Sequence, residues 1–279
     1  MAEIYYKNAN GRKIEFGRAP YYLQRATDLM SHKWEYTNSE YVSKIESFSM
    51  EFVEKEFTLA VLAVDDKDYA KALKDLHDVF DSDVKNLTCG RLYVGLDYLN
   101  CYIIECNQSS YDRRANVVFK PFKLIAESGQ WIREKEYVST DITAEGEGEE
   151  ELGLDYPHDY PFDYKHSKSD TVYNESVGGM DFKMVIYGAC EYPEVTIGTN
   201  VYFVETTLEA SERLEIDSIN KTVRKYDSLG NFESVFHLRD RDHYIFNQIP
   251  TGISSIQRND SYDVHLTVYE YRSEPEWWT

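Results

Sequence analysis

The sequence predicts a mainly β protein: two β domains, the first carrying one α-helix. Three observations lead there. The 279 residues include 24 Tyr and 13 Phe, side chains that suit the pleated, half-buried surface of a sheet. Short apolar and aromatic runs recur along most of the chain between Gly, Pro, Asn and Asp turn signals. Residues 65–80 depart from that pattern and show helical periodicity. The chain exceeds the ~100–200 residues usual for one domain. A shift in composition divides it into an N-terminal β domain with the helix at 1–138, a linker at 139–165 and an all-β domain at 166–279.

Taken in order, Ile4–Lys7 and Arg12–Phe16 flank Asn8-Ala9-Asn10-Gly11. Asn-Gly between two β-type runs is a hairpin signal, because both residues tolerate positive φ. Pro20 stiffens the start of an extended piece at Tyr21-Tyr22-Leu23, and a segment around Trp34 and Tyr36 follows. From Ile45 to Val64, Phe48, Phe52, Phe57, Leu59 and Val61 supply two strands. In the helix, Tyr69, Leu73, Leu76 and Phe80 fall at i, i+4, i+7 and i+11 and make one apolar stripe. Asp65 or Asp66 is its N-cap, and His77 lies on its polar side as a solvated residue.

A second hairpin pairs Arg91–Val94 with Tyr98–Glu105 around Gly95-Leu96-Asp97. Beyond it Pro121, which cannot donate to a ladder, confines the stretch through Val117-Val118-Phe119 to an edge strand or a loop that leads on to Trp131-Ile132. Residues 140–164 hold nine acids (Asp141, Glu145, Glu147, Glu149, Glu150, Glu151, Asp155, Asp159 and Asp163) and no Lys or Arg. Pro157 and Pro161 exclude a helix there and favour an extended strap.

The second half returns to short strands at Met184–Tyr187, Val201–Thr206, Leu214–Ile216, Thr222–Tyr226, Phe232–Phe236, Tyr244–Phe246 and Tyr262–Tyr269, the spacing of a sandwich or jelly roll. In the last of these Tyr262, Val264, Leu266 and Val268 alternate with Asp263, His265 and Thr267, so one face is apolar. The terminal Trp277 and Trp278 read as packing residues that anchor the chain end.

Charge narrows the function. With 30 Lys and Arg against 50 Asp and Glu, the formal net charge of -20 repels polyanions and argues against tight binding to a nucleic-acid backbone. Cys89, Cys101, Cys106 and Cys190 show no metal-ligand or disulfide spacing and read as free thiols. The opening MAEIYYKNANGRKIEF lacks the basic start and apolar core of a signal peptide, so a reducing cytoplasm is the expected place of synthesis.

Catalytic motifs are missing: no nucleophile elbow, zinc-protease helix motif, phosphate loop or dinucleotide fingerprint. The densest polar cluster, His237-Leu238-Arg239-Asp240-Arg241-Asp242-His243, holds two His and two Asp. Its alternating acids and bases read as a charge-balanced loop and not as a metal site. No catalytic, cofactor-binding or metal-ligating residue is assigned, no cofactor is expected, and the chain reads as a non-enzyme.

Several pieces, in order, resemble a known family. They are Ile4-Tyr5-Tyr6-Lys7-Asn8 with Asn10-Gly11, Pro20-Tyr21-Tyr22-Leu23 with Trp34, Lys44-Ile45, Gly90 to Gly95 with Tyr98 to Ile103, and Trp131-Ile132-Arg133-Glu134. Phe182 to Gly188, Pro193, Leu214 to Ser218, Ile249-Pro250-Thr251-Gly252, and Arg272-Ser273-Glu274-Pro275 before Trp277 continue the series. Their order and spacing are similar to the distal tail protein, Dit, of siphophages and prophages of Gram-positive bacteria.

That resemblance implies an N-terminal β-sandwich assembling into a ring, expected to be a hexamer, at the end of the tail tube, and a galectin-like C-terminal β-sandwich projecting outwards. It implies a structural baseplate hub at the virion tail tip, made and assembled in the host cytoplasm. The implied partners are the tail tube protein, the tape-measure protein, the tail-associated protein and receptor-binding proteins. DNA would pass through the lumen without specific binding, and no membrane insertion is expected. The alternative is a carbohydrate-binding adhesin module acting through the galectin-like half.

Overall fold

Packing of the first hairpin against the helix sets the frame of the N-terminal half. The computed structural model describes residues 2–25, 28–39, 44–50, 52–107, 110–112, 116–139, 167–168 and 171–276. The chain folds as two units, Met1–Arg133 with Tyr271–Thr279, and Glu134–Glu270. Composition alone placed the whole C-terminal end in the second domain; its last residues instead group with the first unit, for a reason given below. The acidic strap, apart from Ser139, and the terminal tryptophans lie outside the described residues.

In the first unit Ile4–Lys7 pairs antiparallel with Lys13–Glu15 through the expected turn, in which Gly11 takes a φ of 83°. Ile4–Lys7 also pairs with Gly90–Val94, and that strand with Asp97–Cys106. Asp97–Cys106 belongs to both layers of the sandwich. Its first half pairs with Gly90–Val94, and its second half with Val117–Ala126, after which come Val53–Leu62 and Tyr21–Arg25. The enclosed core contains a chain of rings, Phe16 to Phe57 to Phe122 to Phe80 to Tyr6, with centroids 5.1–5.6 Å apart.

The Val117–Ala126 strand corrects the expectation for Pro121: it is an interior strand. Val53–Leu62 pairs along its whole length on one side. On the other side the partner changes, Ser110–Asp112 reaching only to Phe119 and Asp97–Cys106 starting at Phe122. Pro121 sits in that gap, where its missing N–H interrupts neither ladder.

The helix runs Asp66–Asn86, capped by Asp65, whose Oδ1 accepts from the amides of Lys67 and Asp68, both at 2.8 Å. The predicted stripe faces the core, and His77 is exposed. The helix continues past Phe80 because Asp83, polar in the sequence, points inward. Only 1% exposed, Asp83 accepts a 2.7 Å hydrogen bond from Tyr6 Oη and one of 3.0 Å from the amide of Ala9. A carboxylate so satisfied can be buried, and it ties the helix to the first hairpin. Burial, more than any neighbouring charge, pushes the Tyr6 hydroxyl pKa far above its ordinary value.

The second unit is a sandwich of two antiparallel sheets. One orders Phe232–Ser234, Thr222–Tyr226, Arg213–Asp217, Asp181–Tyr187 and the Val264–Arg272 strand as far as Glu270; the other Thr171–Asn174, Gly252–Arg258, Glu194–Ile197 and Asn200–Phe203. Between them Phe182, Met184, Ile186, Tyr202, Val264, Leu266 and Val268 are buried, with Phe182 edge-on to Tyr202 at 4.9 Å. The alternation read from Tyr262 onward is the pattern that points inward. Tyr244–Phe246 is a correction: it forms a turn closed by Asn247 N–H to Tyr244 O at 3.0 Å, its β-type composition serving to bury Ile245 and Phe246.

At Gly90 an added Cβ would lie 2.2 Å from Tyr6 Oη and 2.5 Å from Asp83 Oδ2. Gly90→Ala should therefore cost about 2–3 kcal/mol, read as a lowered denaturation midpoint; unchanged stability would contradict the buried Tyr6–Asp83 contact.

Candidate assembly surfaces

Asp97 opens its strand and is fully buried. Read from sequence as the third residue of a turn, it instead faces Arg133 across the ladder, in the register Ile132 to Tyr98 and Arg133 to Asp97. The Arg133 guanidinium grips it with both prongs, Nε to Oδ1 at 2.7 Å and Nη2 to Oδ2 at 2.9 Å. A planar fork on a carboxylate is the strongest geometry open to such a pair. The returning chain end completes the cluster. The amide of Glu276 donates to Asp97 Oδ2 at 2.7 Å, the Glu276 carboxylate accepts from Arg133 Nη1 at 3.0 Å, and Arg272 pairs with the same carboxylate. Pro275 is buried beside it, and Glu274 reaches His32 at 2.9 Å. These contacts explain why the last residues group with the first unit.

A second feature of that unit is a two-stranded ribbon, Glu35–Asn38 paired with Ile45–Ser49. Its root is firmly held. Lys55, 2% exposed, points its ammonium at the carbonyls of Leu29 at 3.1 Å, Asp28 at 3.4 Å and Ser31, while Asp28 Oδ2 accepts from the amide of Glu56 at 2.7 Å. Burial holds the Lys55 pKa below its ordinary value. The ribbon itself stands out in solvent on both strands.

The remaining polar groups resolve into structural roles. The His237–His243 segment is a 3-10 turn and loop in which Asp240 accepts from the amide of Asp242 at 2.9 Å and meets His243 Nδ1 at 2.6 Å. These bonds, the backbone one foremost, hold the Asp240 carboxyl below the usual range. Among the described residues no group of His, Cys, Asp and Glu is placed to hold a metal ion. All four cysteines are free, and desolvation raises each thiol pKa, Cys190 to about 11. No described helix is long and apolar enough to cross a membrane.

No family model and no curated protein matches the sequence. Solved structures do. The chain aligns over 98% of its length with 99% of a chain from the phage P2 baseplate in its activated conformation with Ca, at a TM-score of 0.58 and 11% identity. It aligns equally, over 98% and 99% of the two chains at a TM-score of 0.58, with the phage SPP1 Dit protein, at 9% identity. The fold is that of the phage Dit proteins. A second p2 baseplate structure, with Sr, gives a TM-score of 0.59 at 11% identity over 99% of this chain and 100% of that one. The SPP1 protein is described as a paradigm of hub adsorption apparatus in phages that infect Gram-positive hosts.

Asp97→Ala removes the buried acceptor of both prongs of the fork, leaves Arg133 only the part-exposed Glu276 carboxylate, and should cost about 3 kcal/mol of stability, measurable by denaturant titration; a loss below about 1 kcal/mol would contradict the cluster. The two arginines, Arg272 first, hold the Glu276 carboxyl below its ordinary pKa. Its contribution is therefore present above about pH 4.3 and lost as pH falls through the depressed value. With its side chain 41% exposed, Glu276→Gln should cost only about 1 kcal/mol near neutrality. That difference from the parent should vanish in acid, and a constant difference across pH 3–7 would contradict it.

Proposed function

We propose that this chain is a structural hub protein of a phage tail tip, several copies of which close into a ring at the distal end of the tail tube, expected to be a hexamer. The observation that carries the reading is a shared fold over essentially the full length of both chains with phage baseplate and Dit proteins. In this reading the first unit supplies the ring contacts, and the second carries surfaces for tail-associated and receptor-binding proteins. The tube and tape-measure proteins meet the ring, and the chain performs no catalysis. The net charge of -20 suits a wall along which DNA moves without adhering.

A carbohydrate-binding role for the second unit is the other reading, and exposed Phe232 and Tyr244 invite it. Sugar platforms need open ring faces. Here Arg224 lies 4.8 Å over Phe232 and Lys221 5.9 Å over Tyr244, so cations already occupy these rings. The hub reading is the better supported.

Light scattering on the purified full chain should give one discrete mass, a whole multiple of the 32.7 kDa protomer, stable over a tenfold dilution. A monomer at every concentration would sink the reading.

A further inference from the structure

The Val117–Ala126 strand buries alternate residues, Val118, Lys120, Phe122, Leu124 and Ala126. Lys120, only 7% exposed, is the charged member of that apolar series. A buried ammonium needs a partner that accepts its hydrogens. The register supplies one. Cys106, the last residue of Asp97–Cys106, lies opposite Phe122, and the amide of Asn107 donates to Pro121 O at 2.9 Å, so the two strands stay together to that point. Lys120, two residues before Phe122, is therefore on the same face as Cys106. Such diagonal neighbours have Cβ atoms about 7–8 Å apart or somewhat less, a span that a lysine side chain covers. The Lys120 ammonium donates a hydrogen bond to the Cys106 sulfur.

Burial raises the Cys106 pKa, and the charge and hydrogen bond of Lys120 act against it. The helix adds a third group. Tyr69 carries a hydroxyl with no accessible surface and no hydrogen-bond partner among the described residues, and burial first, then the nearby Cys106, raises its pKa. Cys106 itself is part-exposed, so a small oxidant can reach its sulfur. The other thiols are placed differently. Cys101 and Cys190 are buried, and the cation near exposed Cys89 is Arg91, whose guanidinium stays protonated and cannot attack sulfur.

We propose that Cys106 and Lys120 form a modification site, at which hydrogen peroxide closes a covalent bond between the Cys106 sulfur and the Lys120 nitrogen. The thiol breaks the peroxide O–O bond, becomes a sulfenic acid and releases one water. The Lys120 ammonium then gives a proton to solvent, its freed lone pair attacks the sulfenyl sulfur, and hydroxide leaves with a second N–H proton as another water. Sulfur is oxidised by two electrons and the peroxide reduced by two, and the product is a sulfenamide, which a thiol reductant reopens. The bond pins the end of the Asp97–Cys106 strand to an interior strand, close to the register shift between Lys123 and Leu124. It forms inside one chain, so it stands or falls apart from the hub reading.

The test treats the full chain, purified reduced, with hydrogen peroxide and maps its peptides by mass spectrometry. The peptides that hold Cys106 and Lys120 should be recovered joined, two hydrogens lighter than their sum, and should separate again under dithiothreitol. Lys120→Arg keeps the charge but not the nucleophile, and its Cys106 should pass on to sulfinic and sulfonic acid instead. Fragmentation of the joined peptides from the parent names both linked residues, which serves if the variant does not fold. Cys106 oxidised to sulfinic acid beside an unmodified Lys120 in the folded parent would overturn the proposal. So would a Cys106 left as the thiol by peroxide that has fully oxidised exposed Cys89.

Discussion

The fork of Arg133 on Asp97 is the interaction around which the first unit closes. Neither charge can be buried alone: a single ion in a protein interior costs several kcal/mol, and only good geometry with further hydrogen bonds repays a pair. Both conditions hold, and the second is met by the chain's own end, through the amide and carboxylate of Glu276. The pair lies where the Trp131–Ser139 strand leaves the first unit and the tail after Glu270 rejoins it. It fixes register there and makes residues nearly 180 positions apart parts of one sandwich.

A second buried carboxylate does comparable work at the helix. Asp83 joins the C-terminal turns of the helix to the first hairpin through Tyr6 and Ala9, and it forbids any side chain at Gly90. Around these two polar anchors the energy is apolar. The ring chain from Phe16 to Tyr6 in the first unit and the interleaved Phe182, Met184, Leu266 and Val268 in the second bury the surface that drives folding.

Much of the architecture is legible in the sequence because it is written in local periodicity. The Asn-Gly hairpin, the helical stripe from Tyr69 to Phe80 and the alternation from Tyr262 to Val268 each depend on neighbours within a few residues. Features set by distant partners are not legible that way. Asp83 looks like a helix-ending polar residue and Asp97 like a turn residue, since their partners, Tyr6 and Arg133, lie far along the chain. Pro121 argued for an edge because a single sequence does not reveal that the neighbouring strand changes beside it. Tyr244–Phe246 has strand composition but turn geometry, its apolar side chains serving the core. Of the ribbon only the β-type run from Ile45 was legible; the segment around Trp34 and Tyr36 carried no assignment, and the pairing of the two required the register.

These features suit the proposed hub. Its thiol pKa values are raised by desolvation, and its densest polar loop is hydrogen-bonded internally. A ribbon with a fixed root carries exposed Tyr36, Ile45 and Phe48. Electron microscopy of the purified full-length chain tests this account most directly. Class averages should show closed rings of equivalent subunits; isolated single-chain particles, or open filaments without closure, would contradict it.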